Sequence, residues 1–155
     1  MKFTGTFTGG TISVEKYSTR LQSYLKEKIL DITGYWLTAV TDLVPIWSGM
    51  AQGSLTDVAE LVGTNLLIAP VAGAPDRSFI GSMQGHAILD AETVGLVTVE
   101  ISTSVPHYVL QEHKNVGVSP SAPWESFTAG AGTFKVLATE VKIPKPIIQP
   151  KKYNV

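Results

Sequence analysis

The sequence predicts an α+β domain with an antiparallel sheet, and three observations carry that expectation. Apolar residues recur at helical spacing along a long segment near the start and another near the end, β-branched residues alternate with polar ones between them, and these elements are segregated rather than interleaved as βαβ units. At 155 residues the chain has the length of one ordinary domain. Residues 1–141 are read as that domain and 142–155 as an arm.

Taken in order, residues 1–12 set Phe3, Phe7 and Ile12 among Thr and Gly, the pattern of an N-terminal arm or an edge strand. From Val14 to Leu43 the apolar positions 14, 17, 21, 24, 25, 29, 32, 36, 39, 40 and 43 follow one helix face. Ser13 suits the N-cap with Glu15 in the first turn, and Pro45 ends the helix by disfavouring helical geometry at Val44. Thirty residues at ~1.5 Å each would span about 45 Å, more than a domain of this size needs, so Gly34 is expected to bend or break the helix. Ser54 to Leu61 predicts a short second helix, with Ser54 as N-cap, Asp57 in its first turn and Gly63 just past its end. Leu66 to Ala69 reads as a short buried strand and Pro70 to about Gly85 as a loop. Gly95 to Ser102 alternates as a half-buried strand, with His86 to Leu89 pairing to it through a turn at Asp90 to Val94. Pro106 through His113 begins a helix or a strand. Trp124 to Val141, with Phe127, Ala131, Phe134, Leu137, Ala138 and Val141 in register, closes the domain as a helix despite Gly130 and Gly132. The result is two substantial helices packed on a small antiparallel sheet, with extended arms at both ends.

Composition narrows the function classes. Hydrophobic residues make up 44% of the chain and charged ones only 16%, below the usual ~25%, so an unusual share of the surface is neutral or covered. With 12 basic against 13 acidic residues, a net charge of −1, no overall field drives nucleic-acid binding. The absence of cysteine removes disulfides, thiolate catalysis and sulfur-ligated zinc. No apolar run reaches the ~18 residues of a transmembrane helix and the first residues lack a signal-peptide apolar region, so a soluble, cytosolic chain is expected. Charge is nonetheless uneven. Residues 1–141 hold 8 of the 12 basic residues and all 13 acids, a net −5, whereas Lys142, Lys145, Lys151 and Lys152 give the last 14 residues +4. Pro144, Pro146 and Pro150 make that arm extended or polyproline-like, and Ile143, Ile147 and Ile148 favour its docking on a surface over phosphate contact.

Catalytic chemistry has little to work with. His86, His107 and His113, with Glu112 beside the last, are the candidates; His107 and His113 are six apart, which places them on different faces of a helix or a strand. HExxH, EF-hand, GxSxG, P-loop and GxGxxG spacings are all missing. No catalytic residue, metal ligand or cofactor is assigned, and the chain is expected not to be an enzyme. Arg77, next to Asp76, is either a solvated turn with a local salt bridge or a loop tip reaching for a nucleic-acid backbone or partner. Trp36 belongs to the helix stripe and the core. Trp47, after the helix stop, is a core lid or an interface anchor, and Trp124, at a helix start, is either.

Three segments together resemble the tail-completion, or neck, proteins of tailed bacteriophages. They are Pro45-Ile46-Trp47-Ser48-Gly49-Met50 followed by Gln52 and Ser54, then Pro106-His107-Tyr108 with Glu112-His113, and Ala122-Pro123-Trp124-Glu125-Ser126-Phe127. Their order covers most of residues 14–140, with Ser48 where the family usually has Thr, Met50 where it has Leu, and Gln52 where an arginine is often found. The resemblance implies a structural virion protein, assembled in the host cytoplasm, that forms a ring at the head-tail joint, a hexamer or alternatively a dodecamer. DNA would pass through the lumen without specific binding, and the partners would be neighbouring neck, tail-tube and connector proteins, with no membrane. A head-closure or other tail-tube-associated subunit is the alternative, and a small enzyme or ligand-binding domain the reading from another class. Trp47, Trp124 and the arm residues Lys142, Ile143, Lys145, Ile147, Ile148, Lys151 and Lys152 are the expected interface, and Arg77 a possible lumen contact. On this reading an acidic lumen wall leaves DNA ungripped while the basic arm grips a neighbour.

Overall fold

The computed structural model describes residues 2–8, 15–113 and 125–142. Strand β1 (Lys2–Thr8) precedes the long helix α1 (Glu15–Leu43), after which come three short helices, α2 (Met50–Gly53), α3 (Thr56–Leu61) and α4 (Ser78–Ser82). A hairpin of β2 (Gly85–Asp90) and β3 (Leu96–Thr103) follows, then α5 (Pro106–His113) and α6 (Ser126–Thr139). The strands form one antiparallel sheet in the order β1-β3-β2, an α+β arrangement with helices packed on the sheet. Residues 2–8 are thus an edge strand, with Phe3 opposite Ile101 and Thr8 opposite Leu96.

The period-two pattern of β3 explains the layering. Val97, Val99, Ile101 and Thr103 are buried while Thr98, Glu100 and Ser102 are only half-covered, so one face of the central strand lies on the helices. Against it lie Leu21, Leu25, Ile29, Ile32, Trp36, Leu37 and Val40 of α1. Helix α1 runs unbroken for 29 residues through Gly34, where no contact demands a glycine. Continuous burial of its stripe outweighs the local glycine cost of about 1 kcal/mol. Helix α6 packs along α1. Gly130 brings the two together, since a Cβ there would sit 2.5 Å from Trp36 Nε1. Around Trp36 an aromatic cluster closes the core, with Phe3 stacked at 5.2 Å and Phe127 edge-on at 5.2 Å between ring centroids. Phe134 meets Phe3 edge-on at 5.3 Å.

Gln22 ties the hairpin turn to α1. Its amide nitrogen donates to the carbonyls of Ala91, Thr93 and Leu96 at 2.5, 3.1 and 3.3 Å, and its oxygen accepts the Gly95 N–H at 2.9 Å. One side chain thereby satisfies a loop whose backbone groups have no strand partner.

Several elements differ from the sequence expectation. The helix expected at Ser54–Leu61 is present as α3 from Thr56, preceded by the unexpected α2, and Ser54 is no N-cap: its hydroxyl donates to the Ala51 carbonyl and accepts from Thr103, pinning the turn to β3. Leu66 to Ala69 is not a strand. No strand lies beside it, and Leu67 stands 94% exposed. The segment expected as a plain loop from Pro70 contains α4. Leu43, counted in the apolar stripe, is exposed, because the stripe drifts off the core at the helix end while Leu37, outside the count, is buried. Ser13 and Trp124 lie outside the described residues.

Candidate functional site

A polar cluster buried in the core joins α5 to α6. Tyr108 and Glu112 are four apart on α5 and share a face, so both point at the first turn of α6. The Tyr108 hydroxyl shares a hydrogen bond with Ser126 Oγ at 2.9 Å, Ser126 Oγ donates to Glu112 Oε2 at 2.7 Å, and the Phe127 N–H donates to Glu112 Oε1 at 2.5 Å. Tyr108, Glu112 and Ser126 are all fully buried. Helix α6 has no side-chain cap of its own, since Glu125 enters it in a left-handed conformation at φ 48°. A carboxylate borrowed from α5 serves the unpaired donors and the positive end of the helix instead. Burial, ahead of all else, pushes the Tyr108 phenol far above its usual pKa and keeps it a neutral donor.

A serine between a carboxylate and a tyrosine invites a catalytic reading, but Ser126 is sealed from solvent, where no substrate reaches it. The cluster fixes two helices. Two of the three histidines stand elsewhere: His86 Nδ1 lies 3.6 Å from Asp57 Oδ2 at the exposed side of β2, and His107 sits on the exposed side of α5; the side chain of His113 lies outside the described ones. Crowding removes part of the hydration of the His107 imidazole and holds its pKa below the usual value. Among the described residues, no group of three or more His, Asp or Glu side chains is placed to hold a metal ion.

A second feature lies at the C-terminal end of α1. Trp47, Leu67, Val71, Phe79, Ile80 and Met83 are exposed, with Trp47 at 68% and Phe79 at 75%. They stand on three segments bound together: the Val71 N–H donates to the Trp47 carbonyl at 2.9 Å and the Arg77 N–H to the Ser48 carbonyl at 2.7 Å. Gly49, at φ 74°, lies against Ile68 and Ser78. Helix α4 presses its Gly81 onto the Met50 carbonyl and its Ser78 carbonyl onto Gly53, contacts that any side chain would break. With that small-residue face turned inward, Phe79, Ile80 and Met83 necessarily face water. Trp47 and Phe79 alone expose roughly 200 to 350 Å², given about 150 to 250 Å² per large aromatic. Four aliphatic side chains enlarge a patch already as big as the largest on many monomers.

The stretch of sequence that carries this face is acidic. Between Asp42 and Glu92 there are six carboxylates, Asp42, Asp57, Glu60, Asp76, Asp90 and Glu92, against the single cation Arg77. The expected Asp76–Arg77 pair gives way to a different contact. Asp76 Oδ1 accepts the Ser78 hydroxyl at 2.7 Å and the Ser78 N–H at 2.9 Å, and those bonds, the hydroxyl first, lower its pKa.

No family model, curated protein or solved structure matches the chain. Of the residues the sequence singled out, Trp47 is exposed and so is no core lid, and Arg77 is exposed with its backbone bonded to the neighbouring Ser48. Lys142 stands at the far end of α1, where the Tyr24 hydroxyl donates to its carbonyl at 2.7 Å. Trp124, Ile143, Lys145, Ile147, Ile148, Lys151 and Lys152 lie outside the described residues. The reading from sequence passed over Ser126 and Gln22, gave Glu112 no structural role, and missed the apolar side of α4. Tyr108 and Glu112 at i and i+4, and Phe79, Ile80 and Met83 opposite Gly81, were the available signals.

Proposed function

We propose that this chain is a structural subunit of a tailed-bacteriophage neck, a tail-completion or terminator component that assembles as a ring around the DNA channel and catalyses nothing. The observation that carries the proposal is the rigid apolar face at Trp47 and Phe79, built on glycine contacts that hold six apolar side chains out in water. Such a surface is a cost to a solitary chain and an asset to one that is covered on assembly.

Two further features support the same reading. The Tyr108–Glu112 and Ser126–Phe127 pairs, which belong to the second and third segments of the resemblance, meet in one buried network, while the first segment supplies Trp47 and the Gly49 turn. The net negative stretch from Asp42 to Glu92 would let DNA pass without retention if it lined the lumen, since like charge repels the phosphate backbone. Hexameric or dodecameric closure would place each face against the next subunit, and the tail-tube and connector proteins above and below.

The test is genetic. A phage lacking this gene is expected to fill its heads and build its tails yet leave them unjoined in the lysate, and joined, infectious particles from that deletion would refute the proposal.

A further inference from the structure

We infer that the face formed by Trp47, Leu67, Val71, Phe79, Ile80 and Met83 receives the C-terminal arm, residues 142–155, of a second copy of this chain. The inference rests on the ring reading for the presence of that neighbour. Complementarity names the occupant: the arm offers Ile143, Ile147 and Ile148 with four lysines and no acid, and the face offers exposed rings and aliphatics flanked in sequence by the exposed Asp42 and Asp76, with Arg77 its single cation. Apolar area would supply the attachment, and the opposite charges would set orientation and discourage two faces from meeting each other. Three prolines in so short a segment restrict the conformations open to it in any state, which lowers the entropy to be lost on docking.

Reach decides between its own face and a neighbour's. The root of the arm is fixed beside Tyr24, and the face begins just after Leu43, 19 residues further along α1. At ~1.5 Å per residue that is about 28 Å, and helical side chains lean towards the N-terminus, which does not shorten it. Ile147 and Ile148 follow Lys142 by five and six residues. Even a fully extended chain carries them at most about 22 Å from the root. Measured along α1 they stop short of its C-terminal end, which Trp47 follows, whereas a neighbour set head to tail would bring its own face within their reach, the heterologous contact from which rings close.

Complementation between two variants tests this. The Phe79→Ser full-length chain keeps its arm and loses the face; the Ile147→Ser/Ile148→Ser chain keeps the face and loses the arm's grip. Phe79 is exposed and outside the core cluster, so the circular dichroism of the Phe79→Ser chain should match the wild type, and an Ile147→Ser/Ile148→Ser chain that docks its arm on a neighbour should match it too. By sedimentation velocity the wild type should associate with rising concentration, and each variant alone should associate at least tenfold more weakly. An equimolar mixture should regain association as far as dimers only, because one intact arm and one intact face remain per pair. A mixture no better than either variant, variants as associated as the wild type, or a wild type that stays monomeric up to about 1 mM, the weak end of the affinity scale, would each overturn the inference. Failure of the neck reading looks different: the arm would still complement the face in solution while the deletion phage joined its heads to its tails.

Discussion

Replacing Glu112 with alanine removes the one side chain that terminates three interactions at the start of α6, and its cost can be worked from the contacts. The Phe127 N–H, now bonded at 2.5 Å, would be left buried and unpaired, at about 1 to 3 kcal/mol. The positive helix end would lose its carboxylate, worth about 0.3 to 1 kcal/mol and up to ~2 when shielded from water. Ser126 would lose its acceptor at 2.7 Å and fall back on Tyr108, at a further cost of about 1 kcal/mol. The total is about 2 to 6 kcal/mol, a large part of the 5 to 15 kcal/mol that holds an ordinary domain together. With a slope of about 1 to 3 kcal/mol per M, the urea midpoint should fall by about 1 M or more. Glu112→Gln keeps an acceptor for Phe127 and can donate to Ser126, so it should cost only about 1 to 2 kcal/mol. In a double-mutant cycle with Ser126→Ala the coupling should exceed ~1 kcal/mol. A Glu112→Ala midpoint within 0.3 M of wild type, on the order of 0.5 kcal/mol, would refute the account of this cluster.

Other expectations follow from single contacts. Gly130→Ala forces a Cβ to within 2.5 Å of Trp36 Nε1 and should destabilise, because about 1 to 3 kcal/mol of overpacking exceeds the ~1 kcal/mol helix-propensity gain. Gly132→Ala, with nothing within 4 Å, should instead raise the thermal midpoint, and the opposite signs can be read in one calorimetry series. Gln22→Ala should accelerate amide hydrogen exchange at Gly95, whose N–H it accepts at 2.9 Å, while β3 stays protected. His107 has a depressed folded-state pKa, so the unfolded chain binds its proton more readily. The stability this provides is complete above about pH 6.5 and is lost as pH falls from there to the folded-state value. His107→Gln should flatten that part of the pH–stability curve, measured by urea unfolding.

What the sequence disclosed and what it hid follow the range of the interactions. The three-and-four spacing from residue 21 to 40 located α1 and placed Trp36 in the core, and alternation located β3, because those periodicities are fixed within a few residues. Phe3 in an edge strand was also visible, although its stacking on Trp36 was not. Short helices α2 and α4 escaped notice because neither shows a helical period. Each exists through glycines that let backbone touch backbone, at Gly53 and Gly81. The Glu112 cap bridges 15 residues to Phe127, and Gln22 reaches a turn more than 69 positions away, so neither leaves a local pattern. Trp47 was legible as a residue of consequence, but its partners on the exposed face come from loops whose course is set by Val71 and Arg77 bonding back to Trp47 and Ser48.

The central proposal, that this chain is a ring subunit of a phage neck, is tested most directly by cryo-electron microscopy of the virus particles from a lysate in which this gene is expressed. The account predicts density for the chain as a closed ring between head and tail tube, with the Trp47 and Phe79 face covered by the adjacent subunit. Particles whose neck lacks the chain, or a chain found elsewhere in the virion with that face in water, would contradict it.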